Sequence, residues 1–196
     1  MKQDIVTKSK KKIQKYVSDF YETAFPHTCI REFIYFLQEH FKDKKDLVGV
    51  EVGVYLGHNA FNVMKNLPIE KLYLIDPYMP WIEKGKLHDL PELERKARHR
   101  VKLYNDKLVW IKKTSFDAVN DIPTGIDFVY IDGNHDYEYI SKDIELYYPK
   151  IKSGGVIAGH DFNTCFLGIV KAVIDFSKKN SLQLQGKEVD WWFVKP

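Results

Sequence analysis

Cysteine is scarce in this chain. The two present in 196 residues, Cys29 and Cys165, form no CxxC or other metal-spaced pattern, which excludes a disulfide framework and a thiolate metal site. Long hydrophobic runs are missing as well, since no window approaches the roughly 18 apolar residues of a membrane-spanning helix. The opening MKQDIVTKSKKKIQKY is basic and lacks the apolar stretch of a secretory signal. A cytoplasmic location with reduced thiols and no membrane partner is the expectation. Excess charge of one sign is also absent: 30 Lys+Arg against 27 Asp+Glu leave a net charge of +3, far from the balance of a dedicated nucleic-acid binder. Repeats and low-complexity tracts are absent too. What is there is 44% hydrophobic residues, 14% of the chain being aromatic, enough for one core that needs no staples.

The apolar periodicity changes along the chain. Ile13, Tyr16, Val17, Phe20 and Tyr21 recur at helical spacing, and after Pro26 so do Ile30, Phe33, Ile34, Leu37 and Phe41, which predicts a helical N-terminal extension over 1–45. From residue 46 to 196 a single domain is expected. Leu47–Val54 is a nearly continuous apolar run, as in a parallel strand buried on both faces. Gly57 opens a helix through about Leu67. Strand-like Lys71–Ile75, Leu108–Lys112, Asp127–Ile131 and Val156–Ala158 then alternate with a polar, helical stretch inside Pro77–Lys107, a short helix from Ser115 and a helix over Tyr137–Tyr148. After a helix over Phe166–Lys179, Leu182–Gln185 and Val189–Val194 are separated only by Gly186 and Lys187 and permit only a hairpin. The expected fold is α/β: a Rossmann-like, mostly parallel seven-stranded sheet with a C-terminal antiparallel hairpin and helices on both faces. Ligands of such sheets bind beyond the carboxyl ends of the strands.

The residues at those ends carry chemistry. The first strand ends in Glu51-Val-Gly53-Val-Tyr55-Leu-Gly57, an acidic residue and two glycines opening into a helix. Tyr55 occupies the middle glycine position of a dinucleotide fingerprint and would crowd a pyrophosphate, which argues against NAD. Asp76 ends the second strand, where a carboxylate accepts hydrogen bonds from ribose hydroxyls, so a nucleoside without a pyrophosphate is implied. The plainer alternative is a tight strand-to-helix turn with Asp76 as a loop cap. The fourth strand ends in Asp132-Gly-Asn-His135 and the fifth in Gly159-His160-Asp161, and adjacent parallel strand ends lie about 5 Å apart. Both clusters can therefore converge on one hard divalent cation.

EVGVYLGHNA, LYLIDPY, YIDGNHDYE and SGGVIAGHDF, in this order, resemble the motifs of class I S-adenosylmethionine-dependent methyltransferases. The chain is most similar there to the metal-dependent small-molecule O-methyltransferases, the group of catechol O-methyltransferase and macrocin O-methyltransferase. The resemblance runs from about Leu47 to the end. It implies S-adenosyl-L-methionine as cofactor, with Glu51, Gly53, Tyr55 and Gly57 around its methionine part, Asp76 on the ribose, Ser115 and Phe116 near the adenine, and Asp132 bordering the cofactor. It implies a divalent cation, Mg or Mn, on Asp132, His160 and Asp161, and a general base at His135, where the group carries a lysine or a histidine. His160 departs from the aspartate of catechol-type enzymes, which leaves the identity of the metal open.

The implied activity is transfer of a methyl group to a hydroxyl of a small vicinal-diol acceptor such as a sugar. A metal-independent methyltransferase, a silent cofactor-binding scaffold and a metal hydrolase using Asp132, His135, His160 and Asp161 are the alternatives. The basic face of Arg95, Lys96, Arg98, Arg100 and Lys102 is either a solvated helix surface or an electrostatic rim for an anionic acceptor. Lys8, Lys10, Lys11 and Lys12 are read as a solvated terminus rather than an RNA contact. Trp191 and Trp192 are expected to pack the last strand on alternate faces. Related enzymes use their first helices and late strands for homodimer contacts, which makes a second copy of the chain an expected partner.

Overall fold

Val48, Val50, Val52 and Leu47 alternate with only one charged residue, Glu51, so both faces of this segment need cover, and it forms the strand β1 (Leu47–Val52) at the centre of a sheet. The computed structural model describes residues 30–83, 86–88 and 91–196; the helix expected around Ile13–Tyr21 and the lysines at 8–12 lie outside them. Two units are distinguished, Met1–Ile30 and Arg31–Pro196, and the architecture below is that of the second.

Strand β2 (Ile69–Ile75) pairs in parallel with β1, and β5 (Leu108–Ile111) with β2. On the other side of β1 lie β6 (Ile126–Ile131) and then β7 (Ile151–Gly159), both parallel to their neighbours. The strand β9 (Asp190–Val194) runs antiparallel to β7 and pairs with β8 (Gln185–Lys187), which gives the order β5-β2-β1-β6-β7-β9-β8. The seven-stranded, mostly parallel sheet with an antiparallel C-terminal hairpin is thus the expected one. The chain leaves β1 toward β2 on one side and returns to β6 on the other, so the ends of β1 and β6 border the switch point where such sheets hold ligands.

One face of the sheet is covered by α1 (Glu32–His40) and α2 (His58–Asn66), which pack on each other. Phe33 lies 4.3 Å from the Tyr130 ring and 5.8 Å from Phe128, and Phe36 stacks on Trp192 at 4.8 Å. The other face is covered by α5 (Tyr137–Tyr147) and α6 (Leu167–Asn180), whose Ile140, Ile144, Ile169, Val173 and Phe176 close over Val129, Ile131, Ile157, Trp191 and Phe193. Trp191 and Trp192 therefore do face opposite ways. None of the helices among the described residues is long and apolar enough to cross a membrane.

Two elements differ from the sequence expectation. The stretch Pro77–Lys107 is not helical throughout: Trp81–Glu83 (β3) and Lys86–His88 (β4) form a separate antiparallel ribbon before α3 (Pro91–Arg100), which buries Ala97. Helical spacing of Leu90, Leu93, Ala97 and Val101 marked the second half alone. The last hairpin is shifted. Leu182 and Leu184 pack against the core behind α6, whose Ser181 ends the helix in the left-handed region, so pairing starts only at Gln185 opposite Trp192. The turn accordingly falls at Glu188 and Val189, where Glu188 takes φ +56°.

Candidate active site at the carboxyl ends of β1, β6 and β7

At the end of β1 the chain turns twice into the left-handed region, at Gly53 (φ +85°) and Gly57 (φ +71°), with Tyr55 between them at φ +50°. A Cβ on Gly53 would stand 2.1 Å from the carbonyl oxygen of Asp132, so glycine is what lets the tip of β1 touch the tip of β6. Gly57 is the N-cap of α2, its missing Cβ directed at the backbone of α3 near Ala97. Asp76 organises this turn. Its Oδ2 accepts from the backbone N–H of Val54 (3.0 Å) and Tyr55 (2.9 Å), and its Oδ1 from Tyr78 N–H (2.8 Å). Tyr78 hydroxyl then donates to the Tyr55 carbonyl at 3.1 Å. The loop-cap role and a ribose role are compatible, because a carboxylate offers about four acceptor positions and three are used.

Glu51 is only 2% exposed, and its Oε2 has no hydrogen-bond partner among the described residues. Burial pushes its carboxyl well above the usual range, and the nearby Asp132 adds to that while Arg31 opposes it. An orphaned acceptor at a strand end is matched by a ligand that brings a donor, such as an ammonium.

Ser115 and Phe116 open the short helix α4 (Ser115–Ala118), capped by Thr114, whose hydroxyl oxygen accepts from Asp117 N–H at 3.2 Å. They face α5 instead of the acidic cluster: Ser115 hydrogen-bonds Asp143, its carbonyl accepts from the Tyr147 hydroxyl at 2.7 Å, and Lys142 Nζ lies 3.4 Å from the Phe116 ring centroid. Asp143 is buried, which pushes its carboxyl up to about 6 against the pull of Ser115 and Lys142.

Asp132, His135, His160 and Asp161 converge. His135 Nε2 is 3.1 Å from Asp161 Oδ2, and His160 Nδ1 is 3.1 Å from Asp161 Oδ1 and 3.9 Å from Asp132 Oδ1. Asp161 takes φ +60°, a conformation that aspartate tolerates better than most residues and that turns its carboxylate toward both imidazoles. The Phe166 ring packs against His135 at a tilt, 4.4 Å between centroids. Burial raises the Asp132 carboxyl to about 6, with Arg31 and His135 pulling it down and Asp161 and Asp190 pushing it up. Among the described residues, Asp132, His135 and Asp161 offer one ligand atom each, all within 4.8 Å of one another. Two carboxylates and an imidazole fit a divalent cation. His160 stands at the same two carboxylates, 3.1 Å from Asp161 and 3.9 Å from Asp132, so either imidazole could complete a ligand set with them.

Arg31 and Asp190 belong to the same cluster and carry no motif. Arg31 Nη2 donates to Asp132 Oδ2 at 2.9 Å, and Nη1 lies 3.9 Å from Asp190 Oδ1. Asp190 accepts from the Tyr130 hydroxyl (2.9 Å) and Phe33 N–H (3.1 Å), and it lies 3.9 Å from His160 Nε2. The one available signal was an aspartate inside the apolar run Val189–Val194, a position that needs a buried partner. The basic face of α3 is engaged locally: Arg95 pairs with Glu92, Arg98 pairs with Glu94 and lies over Trp110, and Arg100 donates to the Leu56 carbonyl in the glycine turn.

A methyltransferase-domain family model matches residues 50–162, from the end of β1 through Asp161. A protein of Acanthamoeba polyphaga mimivirus, itself uncharacterized, is 30% identical over 125 residues, which is 61% of this chain; the match spans about half (53%) of that relative's length. Among solved structures, a Staphylococcus aureus protein described as a caffeoyl-CoA O-methyltransferase superposes with a TM-score of 0.64 at 12% identity over 93% of this chain and 91% of its own. The O-methyltransferase NovP gives 0.62 at 16% identity over 83% and 78%. A Bacillus cereus O-methyltransferase in complex with SAH gives 0.58 at 15% identity over 83% and 79%. With the family model covering more than half of the chain and Glu51, Gly53, Gly57, Asp76, Asp132 and Asp161 inside it, the chain belongs to the methyltransferase-domain family and has the Rossmann-like class I methyltransferase fold.

Proposed function

We propose that the protein is an S-adenosylmethionine-dependent O-methyltransferase of a small molecule, with a sugar or another vicinal diol as acceptor and a divalent cation, magnesium or manganese, at the acidic cluster. The observation that carries this reading is the placement of the Glu51 carboxylate, with its Oε2 unpartnered among the described residues, and of the Gly53–Gly57 turn against the Asp132–His135–Asp161 triplet across the switch point. The SAH-bound Bacillus cereus O-methyltransferase and NovP, which share the fold, add support for the cofactor and for oxygen as the methylated atom.

S-adenosylmethionine supplies the methyl group on a sulfonium. Glu51 would receive its ammonium, the Gly53–Gly57 backbone its methionine chain, Asp76 its ribose, and Ser115 with Phe116 its adenine. A bound divalent cation supplies Lewis acidity that lowers the pKa of an acceptor hydroxyl. Asp132, His160 and Asp161 would hold that cation, and Asp161 orients the His135 ring through Nε2, the arrangement of a carboxylate-oriented imidazole base. His135 then takes the acceptor's proton. A second reading is favoured by the 4.8 Å triplet: His135 is the third ligand, and His160, set between Asp161 and Asp190, is the base.

Calorimetric titration of S-adenosylhomocysteine into metal-stripped protein, repeated with Mn2+ and with Asp132→Ala, tests the proposal. Cofactor binding by the wild type with a metal heat lost in Asp132→Ala is expected; absence of cofactor binding under every condition refutes it. Mn2+ titration of His135→Ala and His160→Ala separates the two readings, because only the liganding histidine weakens the metal.

A further inference from the structure

Arg31 has no part in the activity proposed above, yet it sits inside the site. Its guanidinium is held from three sides: by Asp132 at 2.9 Å, by Asp190 at 3.9 Å, and by the Tyr130 ring, whose centroid is 5.6 Å from Cζ. Asp190 is itself fixed by the Tyr130 hydroxyl and the Phe33 amide, so that wall of the cradle is anchored to the sheet and to α1. The geometry points to Arg31 as an internal cation that competes with a divalent ion for the Asp132 carboxylate and thereby sets how tightly this protein holds its metal.

This inference rests on the metal site of the proposed function. A guanidinium does not lose its proton in a protein, so Arg31 is a permanent positive charge, unlike the two imidazoles. Asp132 gives one oxygen, Oδ2, to Arg31, while its other oxygen, Oδ1, faces His160 Nδ1 at 3.9 Å. A cation seated on Asp132, His135 and Asp161 would share a carboxylate with a charge of its own sign, and like charges at such separations in a partly desolvated cleft repel strongly. Asp161 and Asp190 add negative charge, and Arg31 is the permanent cation that the described residues place against Asp132 and Asp190. The ligand set therefore binds less tightly than three donors of these types would without the guanidinium. The same feature gives the apo site a built-in counter-ion, which lets Asp132 keep its place when no metal is present.

The test is Mn2+ binding to the full chain, read from the free-ion electron paramagnetic resonance signal at fixed pH, on wild type, Arg31→Met and Arg31→Lys, with S-adenosylhomocysteine calorimetry on all three. Arg31→Met is expected to bind Mn2+ about tenfold tighter or more, on the order of what removing one like charge at contact range gives. Arg31→Lys keeps the charge and is expected to stay close to wild type. Equal or weaker Mn2+ binding by Arg31→Met overturns the inference, and so does equal tightening in both variants, which would make shape and not charge the cause. If Arg31→Met alone loses S-adenosylhomocysteine, Arg31 holds the fold and the inference falls. Mn2+ binding by none of the three overturns it together with the metal reading, while retained cofactor binding would leave the methyltransferase reading standing. Tightening in Arg31→Met without cofactor binding in any form sustains the inference and breaks the cofactor reading.

Discussion

Strand β6 carries an aspartate at each end, and the two are treated in opposite ways. Asp127, near its start, accepts from Lys44, from Lys152 and from Val48 N–H at 2.8 Å. Burial works against its charge, but the two lysines and the amide outweigh it and hold the carboxyl below its usual range. Asp132, just past the other end, is pushed up to about 6, because burial and the neighbouring Asp161 and Asp190 outweigh Arg31. The first carboxylate is satisfied by fixed partners and closes the amino end of the sheet. The second is left short of positive charge at the end where strands meet ligands, which is what a cation-binding site requires and a merely stabilising ion pair does not.

The sharpest way to break this contrast is Asp127→Ala, which strips both lysines and the Val48 amide of their acceptor. A loss of about 3 kcal/mol is expected from urea denaturation, with S-adenosylhomocysteine binding unchanged in the folded protein; a neutral result would remove the structural half of the comparison. Asp132→Asn should do the reverse. Mn2+ affinity is expected to fall roughly a hundredfold, about 2.7 kcal/mol, while the thermal midpoint moves by no more than about 2 °C.

Asp143 sharpens the comparison, being a raised carboxyl outside the Asp132–His135–Asp161 triplet. Its folded value near 6 lies above the unfolded value near 4, so the native state binds more protons between the two. Its stabilising contribution is therefore complete below about pH 4 and lost as the pH rises through about 6. Asp143→Asn is expected to abolish that decline and to add about 2 kcal/mol at pH 8 with little change at pH 4, measured by chemical denaturation across the range. A pH profile identical to wild type would show the carboxyl to be unperturbed. Thr114→Ala marks the small end of the scale: losing the cap of α4 should cost about 1 kcal/mol of stability in the same assay.

The parallel strands were legible because a strand buried on both faces reads as an apolar run, as Leu47–Val54 and Asp127–Ile131 do. Glu51, Gly53, Gly57, Asp76 and Asp132 were legible for a related reason. Strand ends and tight turns are local, and the residue types they need are few. The β3–β4 ribbon was not, because three-residue strands in a polar stretch carry no period. The hairpin was displaced by packing of the half-buried Leu182 and Leu184 against the core, a contact that no count along the chain predicts.

Sequence by itself determined the alternation of parallel strands and helices in the main sheet, the glycine turn and the two acidic strand tips, since each depends on residues within a few positions of one another. Only the tertiary structure decided who surrounds Asp132. Arg31 reaches it across 101 positions, and the Phe33 amide reaches Asp190 across 157. It also brought both His135 and His160 to the Asp132 and Asp161 carboxylates. Charge interactions depend on distance in space, and the sheet order, which sets β1, β6, β7 and β9 side by side under α1, is what turns remote residues into neighbours.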